Sequence, residues 1–440
     1  MPSDELDRTT IAAVATPPGR GGIGVVRVSG SDVPRIAGAV LGGLPRARHA
    51  TLATFRDAAG TLIDQGIALY FPAPHSYTGE AVLELQAHGG PVVMQLLLRA
   101  CVGAGARLAE PGEFTRRAFL EGKLDLAQAE AVADLIEAAS REAARSAARS
   151  LSGEFSAAIG ALRERLIELR ALTEAMLDFP EEGVDSLHRD DAMRRLAEAR
   201  KALGEVLGRS RRGKLLRSGI HVVLAGEPNV GKSSLLNRLA GEDRAIVTAI
   251  PGTTRDTLRE AIEIDGMPLL LVDTAGLREA RDEVEKIGVE RARREVAHAD
   301  LVLVVSEAGC APPPGAALPA GAERLDVYNK VDLAPGFTPP AGAVAVSAKT
   351  GEGLERLRRS ILETAGWFST GESAFLARER HLRALEQADA HLEAASREAA
   401  RWEFFAEELR LAQQDLGAIT GEYTADDLLG EIFGRFCIGK

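Results

Sequence analysis

One eight-residue segment has the residue types and spacing that bind phosphate. Residues 226–233 read Gly-Glu-Pro-Asn-Val-Gly-Lys-Ser, which fits GxxxxGK[ST], and they stand between an apolar β-type run and a helix-type run. Glycines let backbone N–H groups turn toward phosphate oxygens, and the N-terminus of the following helix adds a positive end. The segment predicts that Lys232 reaches the β- and γ-phosphates and that the Ser233 hydroxyl binds Mg²⁺.

Three later segments follow in the order expected of a guanine-nucleotide site. Residues 273–276 read Asp-Thr-Ala-Gly, residues 329–332 read Asn-Lys-Val-Asp, and residues 347–349 read Ser-Ala-Lys, each after an apolar run. The Asp332 carboxylate can accept hydrogen bonds from guanine N1–H and from the 2-amino group together, a donor pair that adenine lacks. The four segments together predict a GTP-binding domain.

The attacking water needs a positioning group other than the usual glutamine. Leu277 follows Gly276, where small signalling GTPases carry that glutamine. Acidic residues follow at 282–285, and spacing alone favours an exposed loop charge for each of them.

The elements that must position these residues alternate between strand and helix. Runs from about residue 214 to 370 predict a doubly wound parallel sheet. Its expected strands are Ile220–Ala225, Leu269–Val272, Leu301–Val305, Leu325–Tyr328 and Ala343–Val346. We therefore expect an α/β plus all-α fold: an α/β domain at 1–118, helical parts at 119–213 and 371–440, and an inserted Ras-like P-loop GTPase domain at 214–370.

Composition and charge exclude several classes of protein. The chain has 440 residues, 45% of them hydrophobic, and its 53 basic and 64 acidic residues give a net charge of −11. Global disorder is excluded, and an all-over coat for nucleic acid is disfavoured. Three widely spaced cysteines form no disulfide framework, and no run reaches the ~18 apolar residues of a membrane span. With a polar segment at 1–8, this predicts a cytoplasmic protein.

Five segments outside the nucleotide motifs carry signatures of a known family. They lie at residues 15–24, 78–85, 111–114, 123–128 and 436–440. With these segments, the chain resembles the MnmE (TrmE) family of tRNA-modification GTPases over essentially its whole length. The resemblance implies an N-terminal tetrahydrofolate-binding and dimerisation domain, a discontinuous helical domain and an inserted G domain. It also implies a homodimer that works with the flavoprotein MnmG on C5 of the wobble uridine of certain tRNAs, with tRNA bound largely through that complex.

The resemblance implies roles for individual residues in GTP hydrolysis. In the family, G domains dimerise across a potassium ion that replaces an arginine finger, and a fixed cation beside the β- and γ-phosphates offsets charge that develops there. The potassium ligands fall on the Asn229 side chain, the Thr248 and Ile250 carbonyls, and Thr253. The water-positioning carboxylate falls on Glu285, which reverses the interpretation from spacing, and Mg²⁺ falls on Ser233 and Thr254. The full nucleotide set is Gly226, Asn229, Val230, Gly231, Lys232, Ser233, Ser234, Thr248, Thr253, Thr254, Asp273, Gly276, Asn329, Lys330, Asp332, Ser347, Ala348 and Lys349.

The resemblance also implies a site for a tetrahydrofolate derivative, in its 5-formyl or 5,10-methylene form. Its positions fall on Arg27, Glu84, Lys123 and Lys440. The Glu84 carboxylate could pair with the donor edge of a pterin ring, and the two lysines could meet carboxylates. An ordinary surface charge is the competing interpretation of each.

Three other signals have weaker interpretations. Residues 19–24 fit GxGxxG, but a strand-type run follows where a dinucleotide site needs a helix. Cys437 is a candidate for the chemistry, although no His or Asp partner is evident for it. The basic run at 209–217 could touch tRNA phosphates, but such runs are more often solvated helix ends.

Two other functions stay open from the sequence. One is a ribosome-assembly GTPase switch that binds RNA without modifying it, although no GxxG module or basic tail flanks the G domain. The other is a folate-binding scaffold with a vestigial GTPase.

Overall fold

The computed structural model describes most of the chain. The described residues are 9–178, 186–242, 259–273, 299–310, 322–367, 374–398, 401–422, 426–434 and 436–439. They form two compact units. The first comprises Met1–Ala133, Ile159–Glu164 and Arg410–Lys440, and the second comprises Asp134–Ala158 and Arg165–Leu409.

The strands of the first unit form one mixed sheet. They are β1 Ile11–Val14, β2 Gly21–Ser29, β3 Thr51–Arg56, β4 Leu62–Phe71, β5 Val82–Gly89 and β6 Arg107–Leu108. The strand order is β3-β4-β5-β2-β1-β6, and the pairs are antiparallel except β1 with β6. The buried core on one face of this sheet includes Phe55, Leu83 and Leu97. The opposite face carries the Arg27–Glu84 register pair.

The second unit contains the predicted nucleotide sheet. Its strands are β7 Ile220–Ala225, β8 Arg259–Ile264, β9 Met267–Asp273, β10 Leu301–Glu307, β11 Glu323–Asn329 and β12 Val344–Ala345. The order is β12-β11-β10-β7-β9-β8, with every pair parallel except β8 with β9. The predicted parallel sheet is therefore confirmed, with an additional antiparallel strand at one edge.

Twelve α-helices lie in the described ranges. They are α1 Val33–Leu41, α2 Pro91–Gly103, α3 Glu113–Leu120, α4 Leu126–Glu137, α5 Arg141–Leu151, α6 Glu154–Asp178, α7 Ser186–Ser218, α8 Lys232–Glu242, α9 Leu354–Thr364, α10 Glu379–Arg397, α11 Trp402–Thr420 and α12 Asp426–Gly434. The predicted helical character on both sides of the nucleotide sheet is confirmed. Within these ranges, no helix is long and apolar enough to cross a membrane.

Leucines on two helices explain why one face of the nucleotide sheet is buried. Leu235 and Leu239 of α8 and Leu357 of α9 are fully buried against the strands. Leu235 and Leu239 are four residues apart, about one helical turn, so they lie on the same stripe of α8. This packing fixes the start of α8 at the carboxyl end of β7, where the phosphate loop lies.

Candidate functional site

The phosphate loop connects β7 to α8, and two of its glycines are sterically required. Gly226 has φ +149°, and a Cβ there would lie 2.2 Å from the Val305 carbonyl oxygen. Gly231 has φ +94°, and a Cβ there would lie 2.3 Å from Asn329 Nδ2. The loop therefore packs directly against the carboxyl ends of β10 and β11.

Lys232 is buried and folded onto its own loop. Its Nζ donates to the Gly226 carbonyl at 2.9 Å and to the Glu227 carbonyl at 2.8 Å. Ser233 and Ser234 are exposed in the first turn of α8. The ammonium and the Ser233 hydroxyl thus lie at the helix N-terminus, where an anion is favoured.

Asn329 joins the phosphate loop to the predicted base-binding loop. It is 2% exposed, and its Nδ2 donates to the Val230 carbonyl at 2.8 Å. Its Oδ1 accepts from the Ala348 amide at 3.0 Å. A single buried amide side chain therefore sets the spacing between the segments expected to hold phosphate and base.

Two of the residues predicted to bind the base, Ser347 and Asp332, lie in contact with each other. Ser347 Oγ donates to Asp332 Oδ1 at 2.6 Å, and no hydrogen bond to Asp332 Oδ2 comes from the described residues. Lys330, with φ 64°, pairs its Nζ with Glu307 Oε2 at 2.7 Å. Lys349 is exposed. An oriented carboxylate with a free oxygen suits the two N–H donors of guanine.

Other predicted nucleotide residues are placed only in part. Asp273 ends β9, with its backbone paired to Leu224 of β7, so it lies at the same sheet edge as the phosphate loop. Asn229 is exposed, with φ 63°. Thr248, Ile250, Thr253, Thr254, Gly276 and Glu285 lie outside the described residues, as does Lys440. No group of three or more His, Cys, Asp or Glu in the described ranges could hold a metal ion.

The structure pairs two of the predicted folate residues on the face of the first sheet opposite its main core. Arg27 Nε and Nη2 both reach Glu84 Oε1, at 2.9 and 2.8 Å. The Arg27 guanidinium also lies over the rings of Tyr77 and Phe114, at 5.4 and 5.7 Å from their centroids. Glu84 Oε2 has no hydrogen-bond partner in the described parts of the chain, so it can still accept from a ligand.

The C-terminal tail at 436–439 lies against this pair. The Gly439 carbonyl accepts from Arg27 Nη1 at 3.5 Å, and the Cys437 carbonyl accepts from the Gly112 amide at 3.4 Å. Gly439 has φ +97°, and a Cβ there would lie 2.4 Å from the Val14 carbonyl oxygen. Phe436 anchors the tail in a buried cluster with Leu126 and other apolar residues of α4 and α12.

The remaining predicted residues of this region are exposed. The Cys437 side chain is exposed, and no hydrogen bond or ion pair ties it to Arg27 or Glu84. Lys123 is also exposed; its Cγ lies 3.5 Å from where a Cβ on Gly79 would stand.

Sequence reasoning missed an ionic network in the first unit that centres on the buried Arg117 and Glu113. Arg117 pairs with Glu80 at 2.9 Å and with Glu113 at 2.9 Å, and Glu113 also pairs with Arg107 at 2.6 Å. Burial alone would raise the pKa of the Glu113 carboxyl, but hydrogen bonds from Arg107, the Glu110 amide and Arg117 outweigh it and hold that pKa below 4.5. Glu113 lies in the signature segment 111–114. Its place in that segment was the sequence signal that could have identified it.

The basic run at 209–217 is engaged within its own unit. Arg217 pairs with Asp134 at 2.9 Å, and Arg209 stacks on the Phe375 ring at 3.6 Å. Two more members pair with acidic residues of α10: Arg211 with Glu386 and Lys214 with Glu379, each at 2.8 Å. These contacts favour a packing role for the run over a phosphate-binding surface.

Comparison with known proteins identifies the family. Residues 10–123 match the family model "GTP-binding protein TrmE N-terminus", and residues 126–437 match "MnmE helical domain". The chain is 61% identical to the tRNA modification GTPase MnmE of Azoarcus sp. (strain BH72) and 59% identical to that of Thiobacillus denitrificans, with 98% of each chain covered. The G domain of the T. maritima FeoB iron transporter is 27% identical over 33% of this chain and 98% of its own, with a TM-score of 0.23. The chain belongs to the MnmE family of tRNA modification GTPases.

Proposed function

We propose that this chain is a potassium-activated GTPase that acts with a flavoprotein partner on tRNA. The pair would place an aminomethyl or carboxymethylaminomethyl group on C5 of the wobble uridine, using a tetrahydrofolate one-carbon donor. The observation that carries the proposal is the placement of the C-terminal tail against Arg27, beside Glu84. That placement brings the tail at 436–439 next to the predicted folate residues Arg27 and Glu84. A GTPase switch without modification chemistry needs neither of them.

The residues around Arg27 fit a folate derivative by their chemistry. Glu84 Oε2 is available to accept from the donor edge of a pterin, and the Arg27 guanidinium is held in place by Glu84 and two aromatic rings. Lys123 and Lys440 would meet the glutamate carboxylates. When bound, the folate derivative supplies the one-carbon unit; the residues of this chain bind and orient it. Cys437 stays a candidate for the chemistry.

The residues of the nucleotide site support GTP, bound together with Mg²⁺, as the substrate that is hydrolysed. Asp332 would select guanine, and Lys232 with the first turn of α8 would hold the β- and γ-phosphates. Ser233 and Thr254 would hold Mg²⁺, and Glu285 would orient the attacking water. Potassium, bound through Asn229 when two G domains meet across it, would stabilise charge that develops in the transition state.

The full activity can be tested by reconstitution. The purified chain, the flavoprotein partner, GTP with Mg²⁺, a methylene-tetrahydrofolate, ammonium or glycine as the amine donor, and unmodified tRNA are combined in KCl. The digested tRNA is examined by mass spectrometry. We expect a C5-modified wobble uridine that disappears when either GTP or the folate is omitted. An unmodified uridine in the complete mixture would contradict the proposal.

The potassium assignment has its own test. GTP turnover is measured in KCl and in NaCl at equal ionic strength, and light scattering reports the oligomeric state. We expect a dimer that hydrolyses GTP faster in KCl, because Na⁺ is too small for ligands spaced for K⁺. Equal rates in the two salts would exclude the potassium assignment, and a monomer would exclude the homodimer.

A ribosome-assembly switch is the weaker alternative. Its main sequence feature was the basic run at 209–217, and four of those residues are engaged by acidic or aromatic partners. No other observation in the described structure favours RNA binding without modification.

A further inference from the structure

The turn that carries Asp332 begins at a residue with an unusual backbone conformation. Lys330 has φ 64° and ψ 34°, in the left-handed region, and it directly precedes the short 3₁₀ turn Val331–Leu333. Residues other than glycine are uncommon in this region, because their Cβ comes too close to a backbone carbonyl oxygen. The direction of the Asp332 carboxylate therefore depends on the contacts that keep Lys330 in this conformation.

Backbone hydrogen bonds attach the two ends of this turn to neighbouring segments. The Ala308 amide donates to the Asn329 carbonyl at 2.8 Å, and the Val331 amide donates to the Val346 carbonyl at 3.2 Å. These bonds fix the backbone on either side of Lys330, but they do not touch its side chain. The position of that side chain is set by another contact.

The side chain of Lys330 is held by Glu307, the last residue of β10. Lys330 Nζ donates to Glu307 Oε2 at 2.7 Å. Glu307 is the register partner of Asn329 on the neighbouring parallel strand, so its carboxylate stands on the end of a strand rather than on a loop. The lysine side chain is 30% exposed and the glutamate side chain 42% exposed. A pair with this exposure adds little to the stability of the fold, so its effect is local to the turn.

The pair orders a side chain that would otherwise be flexible. Lysine has a long stem with many accessible rotamers, and fixing that stem during ligand binding lowers affinity. When Glu307 already orders Lys330 in the free protein, nucleotide binding does not have to do so. Asp332, two residues further on, is held on its other side by Ser347. The carboxylate that is expected to meet guanine thus stands between two restrained points.

We propose that Glu307 is a positioning residue for guanine selection, which acts through Lys330 on the turn that carries Asp332. Glu307 lies outside the four nucleotide segments found in the sequence. The inference rests on the proposed role of Asp332 in binding guanine, and it adds the residue that keeps this carboxylate in place.

Discrimination between GDP and inosine diphosphate tests this role. Inosine diphosphate lacks the 2-amino group, so it offers Asp332 only one of the two N–H donors of guanine. Calorimetry with the full-length chain and Mg²⁺ gives a Kd for each nucleotide, and we expect the unsubstituted chain to bind GDP more tightly. In Glu307→Gln we expect the Kd for GDP to rise about two- to fivefold, the range for a pair with this exposure. The preference for GDP over inosine diphosphate should fall as well, because a displaced Asp332 loses two bonds to guanine and one to hypoxanthine.

A double-mutant cycle separates action through Lys330 from a direct effect of the carboxylate on nucleotide. Lys330→Gln should reduce the preference for GDP by itself. Addition of Glu307→Gln to Lys330→Gln should leave the preference unchanged, because the partner through which Glu307 acts is already absent. A further change in the preference of about twofold or more in the double variant would overturn the inference.

An ionic pair on the neighbouring strand provides a matched control. Asp326, three residues before Asn329 on β11, pairs with Arg324 at 2.7 Å, and the two side chains are 32% and 31% exposed. Asp326→Asn therefore removes a pair of the same length and similar exposure that lies away from the turn. Both Kd values should be unchanged in this variant.

The outcomes also distinguish this inference from the proposed function. An unchanged preference in Glu307→Gln would overturn the inference and leave Asp332 as the proposed guanine ligand. A lower Kd for GDP in that variant would do the same, since it would show that Glu307 competes with nucleotide for Lys330. An unsubstituted chain that binds GDP no more tightly than inosine diphosphate would reject the proposed role of Asp332 and the inference with it.

Discussion

Asn329 shows how one residue can organise two halves of a binding site. Its amide spans the 99-residue separation from Val230 and also holds the Ala348 amide, in a position that is 2% exposed. The sequence places this asparagine in the segment 329–332, which is predicted to bind the base. The contacts indicate that it also sets the distance between the phosphate loop and the predicted base-binding loop.

Asn329→Ala should therefore weaken GTP binding and lower stability together. Removal of the amide leaves the Val230 carbonyl and the Ala348 amide without their partner, which costs about 1–3 kcal/mol. A loss of similar size in binding would raise the Kd for GTP by about 5- to 150-fold. Titration with a fluorescent GTP analogue measures the change, with Glu323→Ala, an exposed position at the opposite end of β11, as the control. An unaltered Kd in Asn329→Ala would refute this role.

The Glu113 carboxylate should make the stability of the first unit depend on pH. Its pKa lies below 4.5 in the folded chain, so its contribution to stability is present above 4.5 and is lost as the pH falls through the folded value. Glu113→Gln should be less stable by about 1–3 kcal/mol at pH 7, because the buried Arg117 and the partly exposed Arg107 both lose their carboxylate. The difference in unfolding free energy between Glu113→Gln and the unsubstituted chain should become smaller as the pH is lowered below 4.5.

Thermal unfolding at a series of pH values checks this expectation. Glu110→Gln is the matched control, since the Glu110 side chain is exposed and only three residues away. A stability gap for Glu113→Gln that stays constant from pH 7 to pH 4 would show that the carboxylate charge is not what stabilises the network.

At the scale of elements, glycines decide where the tail can lie. Gly439 and Gly112 both have positive φ, and a side chain at Gly112 would meet the Phe433 carbonyl oxygen at 2.5 Å. The tail can thus pass close to the start of α3 and the end of β1 only because these positions carry no Cβ. Backbone approach of this kind, rather than side-chain contact, puts the tail beside Arg27.

Gly439→Ala should displace the tail and weaken folate binding while GTP hydrolysis is retained. The added methyl group clashes with the Val14 carbonyl oxygen in a backbone conformation that alanine avoids. We expect the Kd for a tetrahydrofolate to rise about tenfold, equivalent to about 1.4 kcal/mol. Calorimetry measures the affinity. Gly434→Ala, where a Cβ meets nothing within 4 Å, should bind normally, and equal affinities for the two variants would contradict the role of the tail.

Much of the nucleotide sheet could be predicted from sequence because parallel strands buried on both faces read as continuous apolar runs. Strand β8 was missed because charged and apolar residues alternate along it, with Ile262 and Ile264 buried. The following Asp265-Gly266, both at positive φ, is a hairpin signal that would have revealed it. Strand β3 and helix α1 were also missed; for α1, Pro at its start and Gly42 after its end were available signals.

The residues around Arg27 were harder to predict than those around the phosphate loop. Motif spacing places the nucleotide residues because each follows a strand of one sheet. Arg27 and Gly439 are 412 positions apart, and no local pattern indicates that they meet. The resemblance to a family supplied Arg27 and Glu84, whereas the packing of Tyr77, Phe114 and the ionic network depends on tertiary structure alone.

At the scale of the whole molecule, both ends of the chain contribute to the first compact unit. Residues 1–133 and 410–440 belong to it, and the nucleotide sheet belongs to the second unit. The predicted GTP site lies in the second unit, and the tail with the Arg27–Glu84 pair lies in the first. Under the proposed function both are used: the GTP site for hydrolysis and the residues around Arg27 for the folate derivative.

The most direct test of this account is mass spectrometry of nucleosides from digested tRNA of cells with and without the gene for this chain. We predict that the C5-modified wobble uridine disappears on deletion and returns when the unmodified chain is expressed. Arg27→Ala should fail to restore it while GTP turnover of the purified variant is unchanged. An identical nucleoside profile with and without the gene would contradict the central claim and leave only the GTPase.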